Sequence, residues 1–319
     1  MQSLVRLSSR KPRLPRVPRF RLRTVDLDGP VAYAELGTGP RTVVLVHGLG
    51  GNHLNWLPAA SMLASEYRVL AIDLLGFGRT PEAGRGHGMT AQSRMLGRFV
   101  REVAGPDAAL IGNSMGGLVA LMTAAETPVS SLVLVSPALP PPGLPKLEPA
   151  MLGRQLVHLV PGMGELSLYL DGRRGGARKL FVDLLTLGTR DVSRVPPEVV
   201  EANVSLLADR MERAPFGHAR SYLDATRSML LNLARAERLH RMTDAIQTPT
   251  VILHGTHDRL VPLGFSQAFV ARHPWIGLEI LDDVGHVPQM EDARRFVERV
   301  TRFLRHDELT EVVPPSRAA

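Results

Sequence analysis

A serine stands between two glycines in Gly112-x-Ser114-x-Gly116, directly after an apolar run and directly before an apolar helical pattern. The stretch reads as a strand, a tight turn and a helix. A serine at the apex of such a turn has a strained backbone, tolerable where the residues two away lack bulk, as glycine does. Its Oγ faces the free N–H groups and positive dipole end of the next helix, where developing negative charge is favoured. The chemistry that suits this placement is attack of the hydroxyl on a carbonyl carbon.

A serine hydroxyl is a poor nucleophile at neutral pH and needs an adjacent general base. Histidine suits the task because its unperturbed pKa lies near neutrality. Of the eleven histidines, His286 stands apart, in Asp283-Val284-Gly285-His286-Val287-Pro288, after a strand pattern and before the last helix. A carboxylate must then fix the imidazole tautomer and stabilise the imidazolium. Asp258 fits, in Gly255-Thr256-His257-Asp258-Arg259-Leu260-Val261-Pro262 after another strand. Asp282 and Asp283 are rivals, so close to His286 in sequence that folding back onto its ring is awkward. No carboxylate follows the strand at 131–135.

These residues need a scaffold that gathers strand ends. Arg21–Asp28 and Val31–Leu36 alternate apolar and polar around Gly29-Pro30 and predict an antiparallel hairpin. Thr42–Val46 and Tyr67–Ile72 are short apolar runs, as expected of strands covered on both faces. A helical pattern lies around Trp56–Leu63. Thr90 is placed as the N-cap of a helix whose face carries Leu96, Phe99, Val100 and Val103. The serine turn and the strand Ser131–Val135 follow. After Pro137 the rhythm breaks, and helical periodicity (Val199–Met211, Tyr222–Leu233) replaces strands until Thr250–His254. A helix at Leu263–Arg272, a strand at Leu278–Leu281 and a helix at Glu291–Leu304 complete the pattern. Alternating strands and helices imply an α/β fold with a mostly parallel sheet, helices on both faces, and a ligand crevice at the carboxyl ends of the strands.

The domain reading is a basic arm at 1–22, a core at 23–137 and 248–306, an inserted helical cap at 138–247, and a tail at 307–319. The formal net charge is +7, yet residues 1–25 hold eight arginines and lysines and no acid. The basicity therefore belongs to the arm, which argues against a nucleic-acid partner. The arm lacks the apolar run of a secretory signal. Pro12, Pro15 and Pro18 favour polyproline II, with Arg10, Arg13, Arg16 and Arg19 along one edge. Its functional reading is weak contact with an anionic membrane surface, about 1 kcal/mol per cation; the favoured reading is a mobile or loosely packed leader. A cytoplasmic location is expected, at most peripheral to the membrane. With no cysteine, disulfides, thiolate nucleophiles and Cys-based metal sites are excluded. The chemistry needs no cofactor or metal, and oligomeric state is left open.

The order Ser114, Asp258, His286, with the His47-Gly48 loop and the Asp73-x-x-Gly76-x-Gly78 turn, resembles the α/β-hydrolase family. The resemblance spans about 23–137 and 248–305. It implies an eight-stranded, mostly parallel sheet with an inserted helical cap, and an oxyanion hole made by the backbone N–H groups of Leu49 and Met115. It implies that His47 orders its loop rather than acting as a base. Asn52 and Trp56 are open to either a substrate-facing or a structural role. The expected activity is hydrolysis of a carboxylic ester with a hydrophobic acyl group through an acyl-enzyme.

A second reading is C–C bond hydrolysis of a ketone. Gly112-Asn113-Ser114-Met115-Gly116-Gly117 and Gly285-His286-x-x-Gln289-x-Glu291 are similar to meta-cleavage-product hydrolases. Those enzymes commonly carry tryptophan after the histidine and a glycine-richer loop after the first His-Gly; Val287 and Leu49 stand here. A third reading is a non-catalytic ligand-binding protein on the same fold. Arg190, Arg194 and Arg220 are weighed as carboxylate ligands and read as surface residues.

Overall fold

The computed structural model describes residues 20–81, 84–143 and 160–306. Most of the arm and all of the tail after His306 lie outside the described residues, and with them the polyproline and membrane-contact readings.

Eight strands form one sheet: β1 (Arg21–Asp26), β2 (Pro30–Leu36), β3 (Arg41–Val46), β4 (Tyr67–Ile72), β5 (Ala109–Asn113), β6 (Ser131–Val135), β7 (Thr250–Gly255) and β8 (Gly277–Leu281). Their order is β1-β2-β4-β3-β5-β6-β7-β8. The first hairpin is antiparallel and β2 runs antiparallel to β4, while every other pairing is parallel. The hairpin turns earlier than the alternation suggests, because Asp26 Oδ1 accepts the Gly29 N–H at 2.7 Å and Asp28 takes φ +59°.

Successive residues of a strand point to opposite faces, and here both faces are covered. Val44 and Val46 join one buried cluster with Leu70, Leu110 and Leu118. Val43 and Leu45 join the other with Trp56, Val69 and Phe296. This explains why the central strands read as unbroken apolar runs. Each such side chain contributes about 1.5–3 kcal/mol when fully buried.

Helices flank the sheet: α1 (Leu57–Leu63), entered through a 3-10 turn at His53–Trp56, α2 (Met89–Phe99) and α3 (Met115–Ala124). Thr90 does not cap α2. The cap is Gly88, two residues earlier, and the N–H of the first helical residue, Met89, is satisfied by Ser228 Oγ at 2.9 Å, a partner 139 residues away.

Between β6 and β7 the described residues hold helices α4 (Met163–Gly188, kinked at Gly176), α5 (Pro197–Arg213), α6 (Pro215–Ala234) and α7 (Ala236–Asp244), and no strand. α8 (Leu263–Arg272) precedes β8. The last helical segment is broken rather than continuous: α9 (Pro288–Glu291) and α10 (Ala293–His306) flank Asp292 at φ −141°, ψ 62°. The break leaves Glu291 buried, where its carboxylate accepts three backbone N–H groups, from Arg190, Asp191 and Gly285.

Candidate active site

Ser114 links β5 directly to α3 at φ +56°, ψ −120°, a conformation L-residues rarely adopt. Such strain costs about 1–3 kcal/mol and persists only where the surroundings hold it. Here the Ser114 N–H donates to Val135 O at 2.9 Å, and its carbonyl accepts from Gly117, Leu118 and Ala138. The two glycines have separate reasons. A Cβ on Gly112 would lie 2.3 Å from Gly116 O, and one on Gly116 would lie 2.3 Å from Val46 O. The turn is therefore closed by backbone against backbone, leaving no room for any side chain.

The loop after β8 brings His286 to the same end of the sheet. His286 is buried, and its Nδ1 lies 2.7 Å from Asp258 Oδ2. The other Asp258 oxygen accepts the N–H groups of Leu260 and Val261 at 2.9 and 2.8 Å. Burial opposes ionisation of Asp258, but hydrogen bonds from His254 and His286 outweigh it and hold the carboxyl well below the usual carboxylate range.

The two rivals are engaged elsewhere. Asp283 pairs with Arg194 at 2.6 Å and Arg190 at 3.3 Å, while Asp282 accepts from Thr256 Oγ1. Asn113, which the motif reading passed over, joins the two halves. Its Nδ2 donates to His286 O at 2.9 Å and to Val135 O at 3.1 Å. The structure thus pairs Asp258 with His286 and ties the His286 loop to the residue before Ser114. Among the described residues Ser114 Oγ makes no hydrogen bond, to His286 or to any other group.

The His47 loop passes on the other side. An added Cβ at Gly48 would sit 3.1 Å from Ser114 Cβ. His47 Nδ1–H donates to Gly48 O at 2.7 Å, so Nε2 is the acceptor for the Leu74 N–H at 3.0 Å. The ring therefore orders two loops in its neutral tautomer. Burial, only partly offset by Asp73, pushes its pKa down to about 4. Asp73 is the hub beneath, accepting from His53 N–H at 2.7 Å, His53 Nδ1–H at 2.9 Å and Arg79 N–H at 2.8 Å. Trp56 is fully buried and structural, whereas Asn52 both caps the following 3-10 turn and lines the pocket beneath α4–α6. Among the described residues, neither the Leu49 nor the Met115 backbone N–H has a hydrogen-bond acceptor in the protein.

A neutral buried His47 has a pH consequence. Between pH 6.5 and about 4 the unfolded chain binds a proton that folded His47 refuses, so stability falls as pH drops through that window. The expected loss is about 3 kcal/mol. Urea midpoints measured across the window for wild type and His47→Gln test this: the variant, lacking the titrating ring, is expected to show the flatter profile.

Helices α4–α6 lie over the strand ends. Arg210 donates to Gly78 O at 2.7 Å and to Gly76 O, and Asn203 Oδ1 accepts from Asn52 Nδ2 at 2.8 Å. Beneath them a pocket is lined by the apolar side chains of Phe77, Phe181, Leu206 and Leu207, by the polar ones of Asn52, Asn203, Arg210 and His218, and by Gly50, Gly51 and Gly78. Arg190 and Arg194 are engaged by Asp283, and Arg220 faces Asp224 at 3.6 Å. Among the described residues no cluster of His, Asp or Glu is placed to hold a metal ion, and no helix is long and apolar enough to cross a membrane.

Residues 41–293 match the alpha/beta hydrolase fold family. The chain belongs to that family, and its class is that of a hydrolase. It is similar to an uncharacterized protein of Mycobacterium tuberculosis, 28% identical over 86% of this chain and 77% of the relative. It is 26% identical to a 2-hydroxy-6-oxononadienedioate/2-hydroxy-6-oxononatrienedioate hydrolase of Pseudomonas putida, over 90% of this chain and 95% of the relative. Among solved structures, a bacterial membrane phospholipase A superposes with a TM-score of 0.65 at 25% identity, over 91% of this chain and 87% of the other.

Proposed function

We propose that the protein is a serine hydrolase cleaving a carboxylic ester with a hydrophobic acyl group. The observation that carries the reading is the buried Asp258–His286 pair, hydrogen-bonded through Asn113 to the strained turn at Ser114. With Nδ1–H given to Asp258, His286 Nε2 is the nitrogen left to accept a proton. It takes the Ser114 hydroxyl proton as Oγ attacks the ester carbonyl. The carbonyl oxygen becomes an oxyanion, for which the unengaged Leu49 and Met115 N–H groups are the donors; one such donor is worth about 3 kcal/mol. Collapse expels the alcohol, which leaves with the proton from His286. Water, deprotonated by the same imidazole, then releases the acid and restores Ser114. In this reading α4–α7 form a cap, and Phe77, Phe181, Leu206 and Leu207 favour an apolar acyl group by burial, with Asn52, Asn203, Arg210 and His218 as the polar part of the same pocket.

Cleavage of a C–C bond is the second reading, supported by the name of the Pseudomonas relative and weakened by Val287 after the histidine. Rates on p-nitrophenyl esters of increasing acyl length, beside a 2-hydroxy-6-oxo-dienoate, separate the two. Ester turnover with a preference for medium or long chains is expected. Turnover of the dienoate alone would replace the ester reading with the second. A ligand-binding protein that kept its triad would turn over neither.

A further inference from the structure

Asp258 carries a second histidine. His254, in β7, is fully buried, and its Nε2 lies 3.2 Å from Asp258 Oδ2, the oxygen that also binds His286 Nδ1. The same Nε2 lies 2.9 Å from Val261 O, and a carbonyl can only accept, so Nε2 bears the proton. Nδ1, 2.8 Å from Ser266 Oγ, is then the acceptor and the Ser266 hydroxyl the donor. Contacts alone set the tautomer.

Asp258 Oδ1 accepts two backbone N–H groups and Oδ2 accepts the His286 Nδ1–H, while the single His254 Nε2–H is shared between Val261 O at 2.9 Å and Oδ2 at 3.2 Å. An apolar residue would fill a strand position between two covered faces without needing partners. A buried imidazole is costly unless both nitrogens are bonded. The fold supplies those bonds here from Ser266 Oγ and Val261 O, and sets the same Nε2–H beside the one carboxylate that orients His286.

We propose that His254 is a positioning residue of the catalytic apparatus: its Nε2–H fixes the rotation of the Asp258 carboxylate and limits how much negative charge Asp258 presents to His286. This rests on the Ser114–His286–Asp258 reading. Removing the donor leaves a more basic carboxylate facing His286, which favours the imidazolium, so the base becomes available only at higher pH. The other charged or titratable groups nearby do not touch Asp258. Glu291 bonds the Gly285 N–H with Arg194 3.9 Å from it, Arg259 donates to Thr189 O, and His257 and Asp282 sit on Thr256.

The test is the pH profile of kcat/KM on the preferred p-nitrophenyl ester for wild type, His254→Phe, His254→Gln and Ser114→Ala. His254→Phe is expected to lower kcat about tenfold or more and to move the acidic limb upward by about half a pH unit or more. His254→Gln, whose side-chain amide can present an N–H near the same point, is expected to recover most of the rate and the wild-type limb. A slower His254→Phe enzyme with an unmoved limb, and no rescue by Gln, would reduce His254 to packing and overturn the proposal. If His254→Phe does not fold, Ser266→Ala frees the ring to turn; the proposal then requires a smaller shift in the same direction, and an unmoved limb contradicts it. Activity retained in Ser114→Ala would instead overturn the underlying reading.

Discussion

Ser114→Ala is expected to lower ester hydrolysis by about 10⁴-fold or more while leaving the fold intact. The loss follows from the role: without Oγ no acyl-enzyme forms, and what survives is the smaller contribution of binding and oxyanion donors. The intact fold follows from the contacts. Ser114 is held by its backbone N–H and carbonyl, while its hydroxyl bonds to nothing among the described residues. Alanine meets the same strain at φ +56° and loses no partner, so the melting temperature is expected to stay within about 3 °C of wild type. Initial rates on the preferred ester, with melting curves of both proteins, check the two halves together. A variant that is inactive because it is unfolded would not count.

Gly116→Ala is expected to do the reverse, failing first as a folded protein. A Cβ there would lie 2.3 Å from Val46 O and 2.4 Å from His47 O, both backbone atoms that cannot swing aside. Helix α3 and the end of β3 must separate, which opens the sheet core and pulls Met115 away from the His47 loop. Overpacking of this kind costs about 3 kcal/mol or more. Activity falls with it, because both proposed oxyanion donors shift. Urea unfolding read by tryptophan fluorescence gives the stability. Gly143→Ala, where an added Cβ meets nothing within 4 Å, is the control expected to behave as wild type.

These two residues were legible from spacing alone, and the reason is physical. A glycine or serine at a strand-to-helix junction interrupts an apolar pattern, and the interruption marks the turn. The same logic exposed His286 and Asp258, each in a Gly-containing loop just after a strand. The strand order then brought β5, β7 and β8 ends together, as alternation of strands and helices implied.

What spacing could not reveal are the polar residues whose partners lie far along the chain. Asn113 bonds a carbonyl 173 residues away, and Met89 is capped from 139 residues away. Thr90 looked like a cap only because local chemistry was all that could be weighed. Glu291 was legible as part of a helical run, yet its carboxylate turns inward to Gly285 and the Arg190–Asp191 backbone, and the helix breaks there. His254 reads as one more residue of an apolar strand until Ser266, Val261 and Asp258 close around it.

The central claim is that Ser114 is a nucleophile activated by His286. Incubation with an alkyl p-nitrophenyl phosphonate, followed by peptide mass analysis, tests it most directly, because the reagent bonds covalently only to an activated hydroxyl. The account predicts a single adduct on the peptide carrying Ser114, formed in step with loss of activity and strongly slowed in His286→Gln. Loss of activity with the adduct on another residue, or full activity with Ser114 unlabelled, would contradict it.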